Sequence, residues 1–276
     1  MTPIESWQTA ISELSGERTD HVLVTVLATS GSAPRPAGTK MVVCTERTFD
    51  TIGGGQLEYE VIQAARRLLQ DQQGGQVINH YPLAASVAQC CGGSVTVLFE
   101  SFVYQLKVAI FGAGFVGHAT AGLLHELAAR VRLLDTRGQL PEGLDMNYER
   151  FEDARDAIQS LSPDTHVLIM THSHELDYAL VQTCLEQQRI SIGLIGSSTK
   201  WERFKARLIR DGFDEGALAR VRSPLGVPDI KRKEPLAVAI AIVAQLLQLE
   251  TITQTDLASL SWRQVKASLV TGTTDD

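Results

Sequence analysis

KVAIFGAGFVG, residues 107–117, decides the fold. Val108 to Phe111 is a short unbroken apolar run, the pattern of a strand buried on both faces. Gly112, Gly114 and Gly117 follow at the spacing G-x-G-x-x-G, and a helical pattern begins at once. The first glycine permits a tight turn, the second lets backbone approach a pyrophosphate, and the third allows close helix packing. The start of the helix favours an anion. The next strand closes at Asp135, eighteen residues after Gly117, close to where an acid meets a ribose hydroxyl. The same glycines would also serve a turn and its packing with no ligand at all. Arg137, two residues beyond Asp135, either contacts a phosphate or lies in solvent.

Toward the C-terminus the chain keeps one rhythm. Strands are predicted at Val108–Phe111, Val131–Leu134, Val167–Thr171 and Ser191–Ile195. Helices are predicted at Val116–Ala129, Leu176–Gln187, Thr199–Arg210 and Pro235–Leu249. Alternating strands and helices imply an α/β domain with a Rossmann-like, doubly wound parallel sheet over residues 105–250. Ligands of such sheets bind outside the carboxyl ends of the strands. Gly112, Ala113, Gly114, Asp135, His172 and Ser197 are therefore expected to line one crevice. In THSHELD (171–177), His172 and His174 suit a polar ligand, proton transfer or a metal. Their spacing is not a helical HExxH, and plain loop capping, with Thr171 and Asp177 as caps, would use the same residues. In IGLIGSSTK (192–200), Gly196, Ser197, Ser198 and Thr199 offer small donors to a phosphate or carboxylate; alternatively Ser198 or Thr199 is only the helix cap. Lys200, Arg203 and Lys205 read as a solvated helix face.

Toward the N-terminus the rhythm is lost. Residues 1–104 read as a mixed α+β domain, with helices at residues 3–15 and Gln56–Gln70. Strands are expected at His21–Thr29, Lys40–Cys44, Thr48–Ile52, Val77–Tyr81 and Ser94–Glu100. Three loops carry chemistry. Arg35 stands between Pro34 and Pro36, so a stiff backbone presents one guanidinium, suited to an anion. Gly53, Gly54 and Gly55 precede a helix, where N–H groups can cradle an oxyanion or simply make a tight turn. QCCGG (89–93) holds adjacent Cys90 and Cys91. Vicinal cysteines rarely close an unstrained disulfide, and they suit a soft metal, a persulfide or thiol exchange, unless they are buried packing. Cys44 and Cys184 read as packing residues. The polar, Thr-containing tail, 251–276, reads as a helix with a frayed end.

Composition narrows the rest. With 276 residues, 44% hydrophobic and 21% charged, the chain is ordinary and globular, which excludes a mainly disordered protein. A net charge of −7 excludes a global basic field for nucleic acid or an anionic membrane. No apolar run reaches the roughly 18 residues of a membrane span, and no charged-then-apolar signal segment opens the chain. Four cysteines, two of them adjacent, make no disulfide framework. A soluble protein of the cytoplasm is expected.

Taken in order, GSAPRPAGTKMVV, TIGGGQLE, QCCGG, FGAGFVG, MTHSHELD, GLIGSSTKWERF and PLGVPDIKRKEP resemble the xanthine dehydrogenase accessory family, XdhC/CoxI. The likeness covers residues from about 21 to 249. It implies an XdhC/CoxI domain over 1–104, an XdhC Rossmann domain over 105–250 and a tail over 251–276. It further implies a maturation factor rather than an enzyme. Such a protein binds molybdenum cofactor (molybdopterin), protects it, and supports its sulfuration and insertion into xanthine dehydrogenase. The implied partners are the molybdenum-binding subunit of that enzyme, a cysteine desulfurase and a second copy of the chain. The cofactor-binding candidates are Arg35, Gly53, Gly54, Gly55, Cys90, Cys91, Gly112, Gly114, Gly117, Asp135, His172, His174 and Ser197. Cys90 and Cys91 are also the metal candidates. Position 115 is Phe where the family pattern often has His. Two other readings compete: an NAD(P)-dependent oxidoreductase built on GAGFVG and Asp135, and a sulfur-transfer protein using Cys90 and Cys91 directly.

Overall fold

The computed structural model describes residues 6–83, 93–144, 146–189, 191–230 and 232–250. Cys90, Cys91 and the tail lie outside the described residues. The chain forms two compact units, with the boundary falling between Tyr104 and Gln105.

In the first unit the order is α1 (Trp7–Gly16), β1 (His21–Ser30), β2 (Lys40–Cys44), β3 (Thr48–Phe49), α2 (Gly55–Gln70), β4 (Gly75–Leu83) and β5 (Gly93–Phe102). The strands form one sheet in the order β3-β2-β1-β5-β4, antiparallel throughout. Side chains of a strand alternate between faces. Accordingly Val22, Val24 and Val26 of β1 enter one core cluster while Leu23 enters another. The first cluster takes Leu57, Val61, Ala65 and Leu69 of α2, a stripe at intervals of four residues. The second takes Ala10 and Leu14 of α1. The sheet is thus sandwiched between its two helices.

In the second unit the order is β6 (Lys107–Phe111), α3 (Phe115–Glu126), β7 (Arg130–Asp135), β8 (Glu149–Arg150), α4 (Ala154–Gln159), β9 (His166–Ile169), α5 (His174–Glu186), β10 (Ile192–Leu194), α6 (Ser198–Arg210), α7 (Glu215–Leu218), β11 (Val221–Arg222) and α8 (Pro235–Glu250). The sheet runs β11-β10-β9-β6-β7-β8 and every pair is parallel. Strand order reverses between β6 and β9, the place where open α/β sheets hold ligands. Val108 and Ile110 pack with α3 and α8 on one face; Ala109 and Phe111 pack with α4, α5, α6 and α7 on the other. This is the expected doubly wound sheet. The sequence reading had no β8, α4, α7 or β11, each only two to six residues long and too short to show a period. Cys184 is fully buried and free, and burial pushes its thiol up to about 12 against the opposing pull of Arg189, so it does pack. No helix among the described residues is long and apolar enough to cross a membrane.

Candidate functional site

The residues expected to line a crevice close or follow the carboxyl ends of β6, β7, β9 and β10 in the second unit. Gly112 has φ +121, and a Cβ on it would stand 2.3 Å from the Met170 carbonyl oxygen, so the exits of β6 and β9 touch. A Cβ on Gly117 would stand 2.0 Å from the carbonyl of Gly112. These two glycines are required by backbone contact alone. Gly114 differs: a Cβ there would meet nothing within 4 Å. It caps α3 in extended conformation and faces open space, the place a ligand backbone-contact needs. Phe115 beside it is 53% exposed.

Asp135 does not offer a free carboxylate. Its Oδ2 accepts from the Ala113 N–H at 2.7 Å and from Arg137 Nη2 at 2.6 Å. Its Oδ1 accepts from the Arg137 backbone N–H and Nε, each at 2.9 Å. Four donors fill the roughly four lone-pair sites of a carboxylate. Burial opposes the charge, but the Arg137 fork and the two N–H groups prevail and hold Asp135 at about 2. Arg137 therefore neither sits free in solvent nor stands as an unpaired cation. The acid at the ribose position is saturated from within, and its work is to pin the glycine turn to the end of β7.

His172 and His174 are both exposed, one in the loop after β9 and the other opening α5. Ser173, between them, caps α5 by accepting from Leu176 N. Asp177 is fully buried and accepts from the Thr171 N–H and hydroxyl, at 3.0 and 2.7 Å. Its other oxygen meets Lys200 Nζ at 2.5 Å, and that ammonium also donates to the Ile195 carbonyl at 3.0 Å. Lys200 was expected on a solvated face; its side chain is only 10% exposed and ties the loop after β10 to the loop after β9. The stretch GSSTK held the signal, because a helix residue so close to the strand end can fold back over Gly196. Ser197, not Ser198 or Thr199, is the cap of α6, accepting from Lys200 N. No cluster of three metal-ligating side chains occurs among the described residues.

The first unit brings its own loops together. A Cβ on Gly53, which has φ +125, would stand 2.4 Å from Pro34 Cβ and 3.3 Å from Arg35 Cγ. The proline-flanked loop therefore rests on the glycine turn. Gly93, two residues past Cys91 in the chain, abuts the same loop: its Cβ would meet the carbonyls of Ser32 and Ser30 at 2.5 and 2.9 Å. Arg35 is exposed and has no ion-pair partner among the described residues. The glycine turn itself is largely spent. Glu58 Oε2 accepts from the N–H groups of Ile52 and Gly54, both at 3.0 Å, and from the Thr51 hydroxyl. Gly53 N–H is taken by Thr51 Oγ1 at 3.0 Å. The sequence reading missed Glu58, although Thr and Glu bracketing the glycines in TIGGGQLE are the ends of a local capping pattern.

Residues 15–82 match the family described as XdhC and CoxI, and residues 108–246 match the XdhC Rossmann domain. The chain belongs to the XdhC and CoxI family. It is 26% identical over 253 residues to YqeB, an uncharacterized protein of Escherichia coli strain K12, an alignment covering 88% of this chain and 46% of that protein. The chain thus spans about half the length of this curated relative. The solved structure of a xanthine dehydrogenase from Bacillus halodurans is also similar, at 19% identity and a TM-score of 0.49, over 92% of this chain and 98% of that one.

Proposed function

We propose that this XdhC/CoxI chain is an accessory chaperone that binds molybdenum cofactor, protects it, and supports its sulfuration and insertion into xanthine dehydrogenase. One observation carries the reading: the loop that holds Arg35 rests on Gly53 through Pro34 and Arg35 and on Gly93 through Ser30 and Ser32. A guanidinium with no ion-pair partner among the described residues thus stands on a loop that Gly93, two residues after Cys91 in the chain, abuts. The bound cofactor would supply an anionic phosphate, a polar pterin and a sulfur-liganded metal. An exposed Arg35 on a stiff loop, with no ion-pair partner among the described residues, fits the phosphate. A thiolate from Cys90 or Cys91 would be the matching soft ligand for the metal. Gly114 and the start of α3 offer a second anion-compatible surface in the other unit. The partners under this reading are the molybdenum-binding subunit of xanthine dehydrogenase and a cysteine desulfurase, in the cytoplasm where thiols stay reduced.

The competing oxidoreductase reading needs an acceptor for a nucleotide ribose, and Asp135 has none to spare. Metal and pterin analysis of protein purified anaerobically from a cofactor-sufficient host separates the two. Co-purified molybdenum and pterin are expected. Tight NAD(P) binding with hydride transfer, and no pterin, would overturn the proposal. Arg35→Ala should weaken cofactor retention by about 1.5–3 kcal/mol, with Lys rescuing only in part. Retention equal to the parent at matched ionic strength would make that loop structural.

A further inference from the structure

Helix α2 packs on β2, β1 and β5, so β4, at the end of the sheet, is left beside the helix. Between them lies an open groove of about 620 Å³, a size that holds small ligands. Glu60, Gln63 and Arg67 line it from α2, and Asn79 and Tyr81 from β4. Val77 and Tyr81 pack against the core cluster that α2 covers, and strand alternation puts Asn79 on that same face. Asn79 Nδ2 donates to the Tyr81 hydroxyl at 3.4 Å, a long contact that leaves much of the amide free. Burial raises the Tyr81 hydroxyl above its usual range. Asn79 opposes that rise, Glu60 adds to it and Arg67 opposes it, so the hydroxyl lies within reach of both charges.

Those charges are placed for a ligand and not for each other. Seven helical residues carry Arg67 about 10 Å along the axis from Glu60 and return it to the same side of α2. At that distance the two do not pair. Arg67 is exposed and has no ion-pair partner among the described residues, and Glu60 holds only the Gln56 amide, at 2.8 Å. Gln63 stands between them on the wall. Tyr59, next to Glu60 and 60% exposed, offers a ring face that favours a cation at the acidic end. An acid, side-chain amides and a guanidinium in a row complement an elongated ligand with an ammonium at one end, amides in the middle and a carboxylate at the other. A free amino acid holds its two charges too close together to reach both ends. Three extended residues span about 10 Å.

We propose that this groove binds a short, extended, zwitterionic peptide of about three residues, its ammonium at Glu60, its carboxylate at Arg67 and its amides between Gln63 and Asn79. Calorimetric titration of the full chain with tri-alanine tests this, with end-blocked forms as probes of each charge. Tri-alanine should bind with a dissociation constant below ~1 mM. N-acetylation or C-amidation should each weaken it by at least ~10-fold, the loss of one charged hydrogen bond. Di-alanine, whose ends lie only about 7 Å apart, should lose as much. In Arg67→Ala, amidation should cost less than about 2-fold while acetylation keeps its full penalty; Glu60→Gln should show the reverse. Both positions are exposed, so an unchanged urea midpoint should accompany each variant. In the parent, the amide resonances of Asn79 and Tyr81 should shift with added peptide. No binding at 10 mM tri-alanine, blocked peptides bound as well as the free one, or an amidation penalty that survives in Arg67→Ala would each overturn the proposal. Cofactor content is read in none of these, so their failure leaves the functional reading where it stands.

Discussion

Each unit opens a helix with a glycine-rich turn, and each turn is closed by a carboxylate of its own chain, but the two acids come from different distances. In TIGGGQLE the acid is Glu58, four residues beyond Gly54, and it holds only that turn. In GAGFVG the acid is Asp135, 22 residues beyond Ala113, and it fastens the turn to a neighbouring strand. A local carboxylate organises a loop; a distant one, buried with its own guanidinium, becomes part of the sheet. The glycines differ in the same way. Gly112 and Gly117 are demanded by carbonyls of the second unit's framework, whereas Gly53 is demanded by the side chains of Pro34 and Arg35, a candidate ligand loop. A glycine-rich motif therefore says little until each glycine's neighbour is known.

The sharpest way to break this comparison is within GAGFVG. Gly117→Ala forces a methyl onto a backbone carbonyl and should cost about 3 kcal/mol in urea denaturation, at the upper end for overpacking. Gly114→Ala should cost under about 1 kcal/mol, since the added methyl enters open space and only the cap changes. If cofactor binds there, bulkier Gly114→Val should fold normally yet lose loading. Equal stability losses at Gly114 and Gly117 would refute the division between a framework glycine and a ligand-facing one.

The two acids come next. Asp135, held at about 2 rather than 3.8, contributes about 2 kcal/mol above pH 4. A carboxylate whose folded value is lowered stabilises when ionised, so this contribution disappears as pH falls from about 4 toward 2. Asp135→Asn should remove it at neutral pH and flatten the profile in that window. Glu58→Gln should cost only about 1 kcal/mol, because an amide oxygen can still accept from Ile52 and Gly54. A Glu58 variant as damaging as the Asp135 variant would show that the local turn is not local.

The smallest effect distinguishes the units by pH. His21, fully buried at the start of β1 and stacked on Phe102 at 4.9 Å, is lowered from 6.5 chiefly by burial. A base with a lowered folded value takes up protons more readily unfolded, so the first unit should lose stability as pH falls below 6.5. The second unit should hold until the Asp135 window. Domain-resolved amide exchange between pH 7 and 5 checks the order, and His21→Phe should make the first unit indifferent over that range while keeping the ring stack.

Much of the fold was legible because periodicity is local. The run Val108–Phe111 and the spacing of Gly112, Gly114 and Gly117 declare a strand, turn and helix to any reader of the chain. The four-residue stripe of Leu57, Val61, Ala65 and Leu69 does the same for α2. Short pieces such as α7 and β11 were invisible, since two to four residues hold no period and are set by the elements they join. The candidate residues were legible as types but not as partners. Nothing in the chain near Asp135 says that Ala113 will fill one of its oxygens, and nothing near Lys200 says that Asp177 will draw it inward. The sequence by itself determined the two-unit order, the parallel sheet and the family, all carried by local pattern. Only the tertiary structure decided which acids are spent, which glycine stays open and which turn lies against Arg35, because hydrogen-bond saturation and close packing are made between residues that the chain keeps far apart.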